Sequence, residues 1–123
     1  MVQLTPQSRI LLATEPVDFR KGIDGLAAVC RHGLGAPPLS GAVFVFRHRA
    51  ATAIKLLLYD GQGFWLCTKR LSQGRFHWWT HPQGARARLA ARALQILLWN
   101  GPPDQARMAE DGRQLPSGGT RGA

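Results

Sequence analysis

Ala42-Val43-Phe44-Val45-Phe46-Arg47-His48-Arg49-Ala50-Ala51-Thr52-Ala53-Ile54-Lys55-Leu56-Leu57-Leu58-Tyr59-Asp60-Gly61-Gln62-Gly63-Phe64-Trp65-Leu66-Cys67-Thr68 reads as three strands and two turns, and it decides the fold class. Ala42 to Phe46 is continuous, apolar and rich in β-formers. Arg47 to Ala51 is a short connector, and Ala53 to Tyr59 returns. Asp60-Gly61 is a turn dipeptide, and Gly63 to Thr68 makes the third strand. Connectors this short join neighbours, so the strands are expected to pair antiparallel as a meander. Gly74 to Trp79 is an expected fourth, short edge strand.

Upstream, Arg9 to Thr14 is a short apolar run ended by Glu15-Pro16, consistent with a buried strand. Asp18 can cap a following helix. Ile23, Leu26, Ala27 and Cys30 fall at i, i+3, i+4, i+7 spacing, which predicts a helix over about 19–32. His32 to Pro38 closes it as a loop. Downstream, Arg86 to Trp99 is predicted as the second helix. Leu89, Ala93, Ile96 and Leu97 share one side, and Arg88, Arg92 and Gln95 share the other. Gly101-Pro102-Pro103 stops it. The expected architecture is α+β: a small antiparallel meander sheet of three to five strands, with two helices packed on one face. Residues 1–103 form a single basic domain. Residues 104–123 have too few apolar groups to bury a core and are expected to be a disordered tail.

The 123 residues suffice for one domain with a modest core. The net charge is +9 and the pI about 11.3. Between Gly25 and Pro103 only Asp60 is negative, so the positive charge sits on the folded body. Such a field favours phosphate-rich partners. Cys30 and Cys67 have no metal-ligand spacing and read as small core residues of a reducing compartment. No apolar run approaches the ~20 residues of a membrane span, and Met1 to Ile10 has no signal-peptide pattern. The expected location is the cytoplasm, with no membrane partner.

Four constellations could carry function. Arg20 and Lys21 lie next to Asp18, where an anion could dock on a helix N-terminus; equally, Asp18 and Asp24 could pair locally, or the helix could start near Gly22. Arg47, His48 and Arg49, with Lys55, sit on and beside a hairpin tip, which can reach a backbone or simply be solvated. Lys69, Arg70 and Arg75 lie between Phe64-Trp65 and Phe76, Trp78 and Trp79. Strand alternation puts Phe64 and Leu66 on one face and Trp65 and Cys67 on the other, so one aromatic set is core while another can stack on bases or meet a protein. Arg88 and Arg92, one helical turn apart, could clamp successive phosphates or form a solvated face. Catalysis has little support: there is no serine elbow, phosphate loop or His/Cys metal pattern. Asp18, Asp24 and Asp60 could in principle hold metal ions for phosphoryl transfer, but nothing in their spacing argues for it. No cofactor is expected.

Leu12-Ala13-Thr14-Glu15-Pro16-Val17-Asp18-Phe19-Arg20-Lys21-Gly22-Ile23-Asp24-Gly25-Leu26 resembles the N-terminal signature of the accessory protein (Orf2, also called TnpB) of the insertion-sequence-66 family of bacterial transposable elements. Leu39 to Arg47 follows in order, then Ile54-Lys55, Leu58 to Phe64, Lys69-Arg70-Leu71, Gly74-Arg75-Phe76 and a C-terminal apolar helix. The resemblance covers roughly residues 9–103. His77 to Pro82 is more aromatic than the family pattern, Arg86 to Arg92 is more basic, and the tail after Pro103 has no counterpart. The similarity does not extend to the RNA-guided nuclease that shares the TnpB name. It implies a small protein, encoded beside a separate transposase and needed for efficient transposition, with no catalytic residues to carry over. The expected function is non-catalytic binding of transposon DNA, the transposase, or both, by Arg20, Lys21, Arg47, Arg49, Lys55, Lys69, Arg70, Arg75, Arg88 and Arg92. The alternatives are a transposase adaptor with no DNA contact and, remotely, a small nuclease.

Overall fold

The computed structural model describes residues 9–77 and 84–101. Trp78 and Trp79 of the expected edge strand and the expected tail lie outside them. The elements are β1 (Ile10–Ala13), α1 (Ile23–Ala28), β2 (Val43–Arg47), β3 (Ala53–Tyr59), β4 (Phe64–Arg70), β5 (Arg86–Leu89) and α2 (Ala91–Leu98). A π-helical turn, Val29–Gly33, extends α1, and a 3-10 turn, Pro38–Ser40, precedes β2. The five strands form one sheet in the order β4-β3-β2-β1-β5.

The α+β class and the antiparallel β2–β3–β4 meander are as the sequence predicts. Three features differ. First, β1 pairs parallel to β2, with Ile10 opposite Val43. The connection through α1 is long enough for a crossover, which a parallel pair requires.

Second, Arg86 to Leu89 is a strand and not the first turn of the second helix. Its residues alternate exposed and buried, and it pairs antiparallel with β1. The Arg-Ala-Arg-Leu run carries a period of two that a helical reading absorbs. Its pairing covers β1, all four of whose residues are buried. Gly74 to His77 forms no strand.

Third, the helices lie on opposite faces of the sheet. Ile10, Leu12, Val43, Val45 and Ile54 pack with Ala93, Leu94, Ile96 and Leu97 of α2. Leu11, Ala13, Phe44, Phe46 and Leu57 pack with Leu26 of α1 and with Cys30. Alternate residues of β1 and β2 thus feed two cores, which is why both strands read as continuous apolar runs. Each fully buried Phe or Leu contributes about 1.5–3 kcal/mol of transfer free energy.

α1 begins at Ile23 and not at 19, after Gly22, with no side-chain cap. An α-helix through Phe19 would need the Phe19 and Lys21 carbonyls for its own i→i+4 bonds. Lys55 Nζ takes both instead, at 2.8 and 3.2 Å. α2 ends in a Schellman closure. Asn100 adopts φ 59°, its N–H donates to Leu97 O, and the Gly101 N–H donates to Ile96 O at 2.7 Å. A Cβ on Gly101 would come within 2.7 Å of Ile96 Cγ2.

Candidate functional site

Because β1 and β2 are parallel, the segments leaving their C-terminal ends emerge side by side. One runs from Thr14 to Gly22; the other is the β2–β3 hairpin tip, His48 to Thr52. The Val17 N–H donates to Arg47 O at 2.8 Å and fastens them. β3 starts at this end and β4 finishes here, with Arg70 opposite Ala53. The Leu71 N–H donates to Thr52 O and the Phe76 N–H to Ala51 O, so the segment carrying Arg75 is tied to the same hairpin. Three constellations that lie far apart in sequence therefore form one basic end of the sheet.

The cations there divide into two groups. Lys55 is half-buried, grips the Phe19 and Lys21 carbonyls and lies 4.9 Å from the Phe19 ring centroid. Arg47 is half-buried, and its Nη2 donates to Thr14 O at 3.5 Å. Burial lowers its pKa, the nearby Glu15 carboxylate opposes that shift, and Arg49 adds to it. Lys69 Nζ donates to Leu98 O at the C-terminal end of α2, where a cation suits the helix dipole. Arg20 is exposed but forks onto Asp18, Nη2 to Oδ2 at 2.8 Å. That guanidinium, followed by the Arg20 backbone N–H, holds the Asp18 carboxyl down to about 2. Asp18 is thus a local partner of Arg20 and not a helix cap.

Lys21, Arg49, Arg70 and Arg75 form the second group. They are exposed, and among the described residues their side chains make no hydrogen bond or ion pair. Between the two segments lies an open cleft of about 670 Å³, lined by Pro16 to Arg20 and by His48 to Ala50. Phe19 and His48 stack in it, centroids 4.6 Å apart and planes at 18°. The expected clamp of Arg88 and Arg92 does not form. Arg88 stands on β5, opposite Leu11 and on the α1 face, whereas Arg92 is on α2 across the sheet.

The three candidate carboxylates are not brought together. Asp60 lies at the far end of the β3–β4 pair from the Asp18 loop. It is a turn residue: Oδ1 accepts the Gln62 and Gly63 N–H groups, and Oδ2 accepts Trp65 Nε1 at 2.7 Å. These bonds, the Gln62 N–H first, lower its pKa. Among the described residues no three His, Cys, Asp or Glu side chains are placed to hold a metal ion. Of the aromatics, Phe76 is core, Phe64 is half-buried against Tyr59, Trp65 is 42% exposed and Trp99 is 76% exposed.

Two features escape the sequence reading. Thr14 is buried and satisfied, with Oγ1 on Gly84 O at 2.9 Å and its N–H on Ala85 O. The Phe19–His48 stack joins residues with no periodic relation, so only the parallel pairing could have revealed it.

The IS66 Orf2-like proteins match over residues 8–107, which includes every described residue. The chain belongs to the IS66 Orf2-like family. Membership supports an accessory role in transposition, alongside a transposase. Two relatives come from Sinorhizobium fredii. The uncharacterized protein y4hO is 37% identical over 107 residues, covering 85% of this chain and 93% of that one. The uncharacterized protein y4jC is 44% identical over 68 residues, covering 55% of this chain and 58% of its own length. No solved structure matches. No helix among the described residues is long and apolar enough to cross a membrane.

Proposed function

We propose that this IS66 Orf2-like protein is a non-catalytic accessory factor that holds transposon DNA by its phosphates at the basic end of the sheet. The observation that carries the reading is the parallel β1–β2 pair, which supports a shared surface for the segment carrying Lys21 and the hairpin carrying Arg49, with Arg70 and Arg75 on segments tied to the same hairpin. Exposed cations on an ordered frame can exchange solvent counterions for phosphates at little cost in order. Lys55, Arg47 and Lys69 build that frame. The reading places the protein in the cytoplasm with the transposase of the same element, on a single domain that ends near residue 103.

Anisotropy of a labelled element-end duplex, titrated over salt, tests it. Four phosphate contacts give a slope of log K against log salt of about −3.6, or roughly a hundredfold loss between about 50 and 200 mM. Replacing Lys21, Arg49, Arg70 and Arg75 together by Gln should remove most of that slope. Absence of binding at low salt would sink the proposal. A second reading, an adaptor that grips the transposase without DNA, draws on Trp99, because exposed Trp is characteristic of interface hot spots. Transposase co-purification that survives nuclease treatment and the four Gln substitutions would favour it.

A further inference from the structure

The sheet has two edges, and they differ. β5 is four residues long and carries exposed Arg86 and Arg88. Short, charged edges resist further pairing. β4 is seven residues long, with no proline and a continuous register against β3. An edge of that length is a template for another strand.

The hydrogen-bond phase of β4 is fixed. The Asp60 N–H donates to Gly63 O, and the Leu71 N–H donates to Thr52 O. In an antiparallel ladder such bonded pairs recur every second residue. Trp65, Cys67 and Lys69 therefore turn their backbone groups toward β3. Phe64, Leu66, Thr68 and Arg70 turn theirs outward, and among the described residues no backbone group outside the sheet takes them.

We propose that β4 is a dimerisation edge, on which a second copy of this chain pairs its own β4 antiparallel about a two-fold axis at Cys67. Full overlap of Phe64–Arg70 with itself allows one register, and its centre is Cys67. That register satisfies the phase, because outward-facing Leu66 meets the partner's Thr68 and Phe64 meets the partner's Arg70. Charge selects the direction. The start of β4 carries Phe64 and Trp65, with the Asp60 carboxylate fixed on the Trp65 indole. Its end carries Lys69 and Arg70. Antiparallel pairing sets each cationic end against an aromatic and acidic one, twice by symmetry. Parallel pairing would set cations against cations. Trp65 and the partner's Lys69 share a face, so the 42% exposed indole can pack on the aliphatic stem of that lysine while its ammonium stays on Leu98 O. Dimerisation through β4 shares Arg70 with the proposed DNA contacts and is therefore read on protein freed of nucleic acid.

The axis makes a sharp test. Cys67 and the partner's Cys67 form a non-hydrogen-bonded pair, with Cα atoms about 4.5 Å apart, within the range a disulfide accepts. The full-length chain, freed of nucleic acid, should sediment as a dimer at high micromolar concentration. Copper(II)-phenanthroline, reduced by one electron from each thiol while the two protons pass to solvent, should link two chains rapidly. Cys67→Ser should abolish the link, and Cys30→Ala should leave it. Thr68→Pro removes an outward N–H without touching the β3 ladder, and should give a folded monomer by sedimentation and circular dichroism. Should Thr68→Pro unfold, Trp65→Lys sets like charges opposite each other and should likewise give monomers. A monomeric wild-type chain would overturn the proposal, as would a dimer that neither cross-links through Cys67 nor responds to Trp65→Lys.

Discussion

Lys55→Met separates a structural clamp from a phosphate contact. The ammonium binds two carbonyls, Phe19 O at 2.8 Å and Lys21 O at 3.2 Å, and lies over the Phe19 ring. Met keeps the aliphatic stem and deletes both donors. A hydrogen bond from a charged donor is worth about 1.5–3 kcal/mol. The side chain is half-exposed, so solvent replaces part of that, and the longer bond contributes least. The ring contact adds about 0.5 kcal/mol. A net loss of about 2 kcal/mol follows, which should lower the urea midpoint by roughly 1–2 M. The Thr14–Gly22 segment loosens, so DNA affinity falls, but the salt slope should hold because no phosphate partner has gone. Arg49→Met should do the reverse: stability unchanged within about 0.5 kcal/mol, and a slope shallower by about 0.9. A Lys55→Met protein with the wild-type urea midpoint and a slope reduced by about 0.9 would refute the clamp.

Asp18 should titrate near 2 by carboxyl NMR, and Arg20→Gln should move its midpoint back toward 3.8. Its folded pKa is depressed, so its contribution is present above the unfolded value and is lost as pH falls toward about 2; a wild-type midpoint near 3.8 would contradict the fork. Burial pushes the Cys30 thiol up to about 12, so in native protein dilute enough to leave the β4 edge unpaired, at mildly alkaline pH, iodoacetamide should modify Cys67 and spare Cys30; equal labelling would contradict the α1-side core. Asn100 Oδ1 accepts the His77 N–H at 2.7 Å and Nδ2 donates to Arg75 O at 3.0 Å. Asn100→Gly should cost about 1–2 kcal/mol for those bonds. Asn100→Ala should cost about 1 kcal/mol more for the left-handed backbone, and equal urea midpoints for the two variants would contradict the closure.

The meander was legible because each of its strands is local: a β-rich run, then a turn such as Asp60-Gly61, then a run again. The edge at β5 was not. Arg86-Ala87-Arg88-Leu89 fits a strand by its period of two and a helix by its continuity with Ala91 to Leu98. Only β1, whose four buried residues need a neighbour on that side, decides between them. The same hidden pairing misplaced the helices. Runs such as Val43 to Phe46 show that something covers a strand, but not that Val43 and Phe44 look toward different helices.

Charge was legible as a sum and opaque as an assignment. Whether a cation holds its own chain or is free for a phosphate depends on whether a carbonyl or carboxylate lies within about 3 Å, which is a tertiary fact. Arg47 and Arg49 are two residues apart on one hairpin, yet Arg47 is half-buried against Thr14 O and Arg49 is exposed. Lys69 and Arg70 are adjacent, and strand alternation alone sends Lys69 to the end of α2 and leaves Arg70 in solvent. Counting cations therefore overstates the phosphate contacts and hides the frame. Neutralising Lys69 should be felt first in stability, through the α2 terminus, and neutralising Arg70 first in the salt dependence of DNA binding, although the two share a peptide bond.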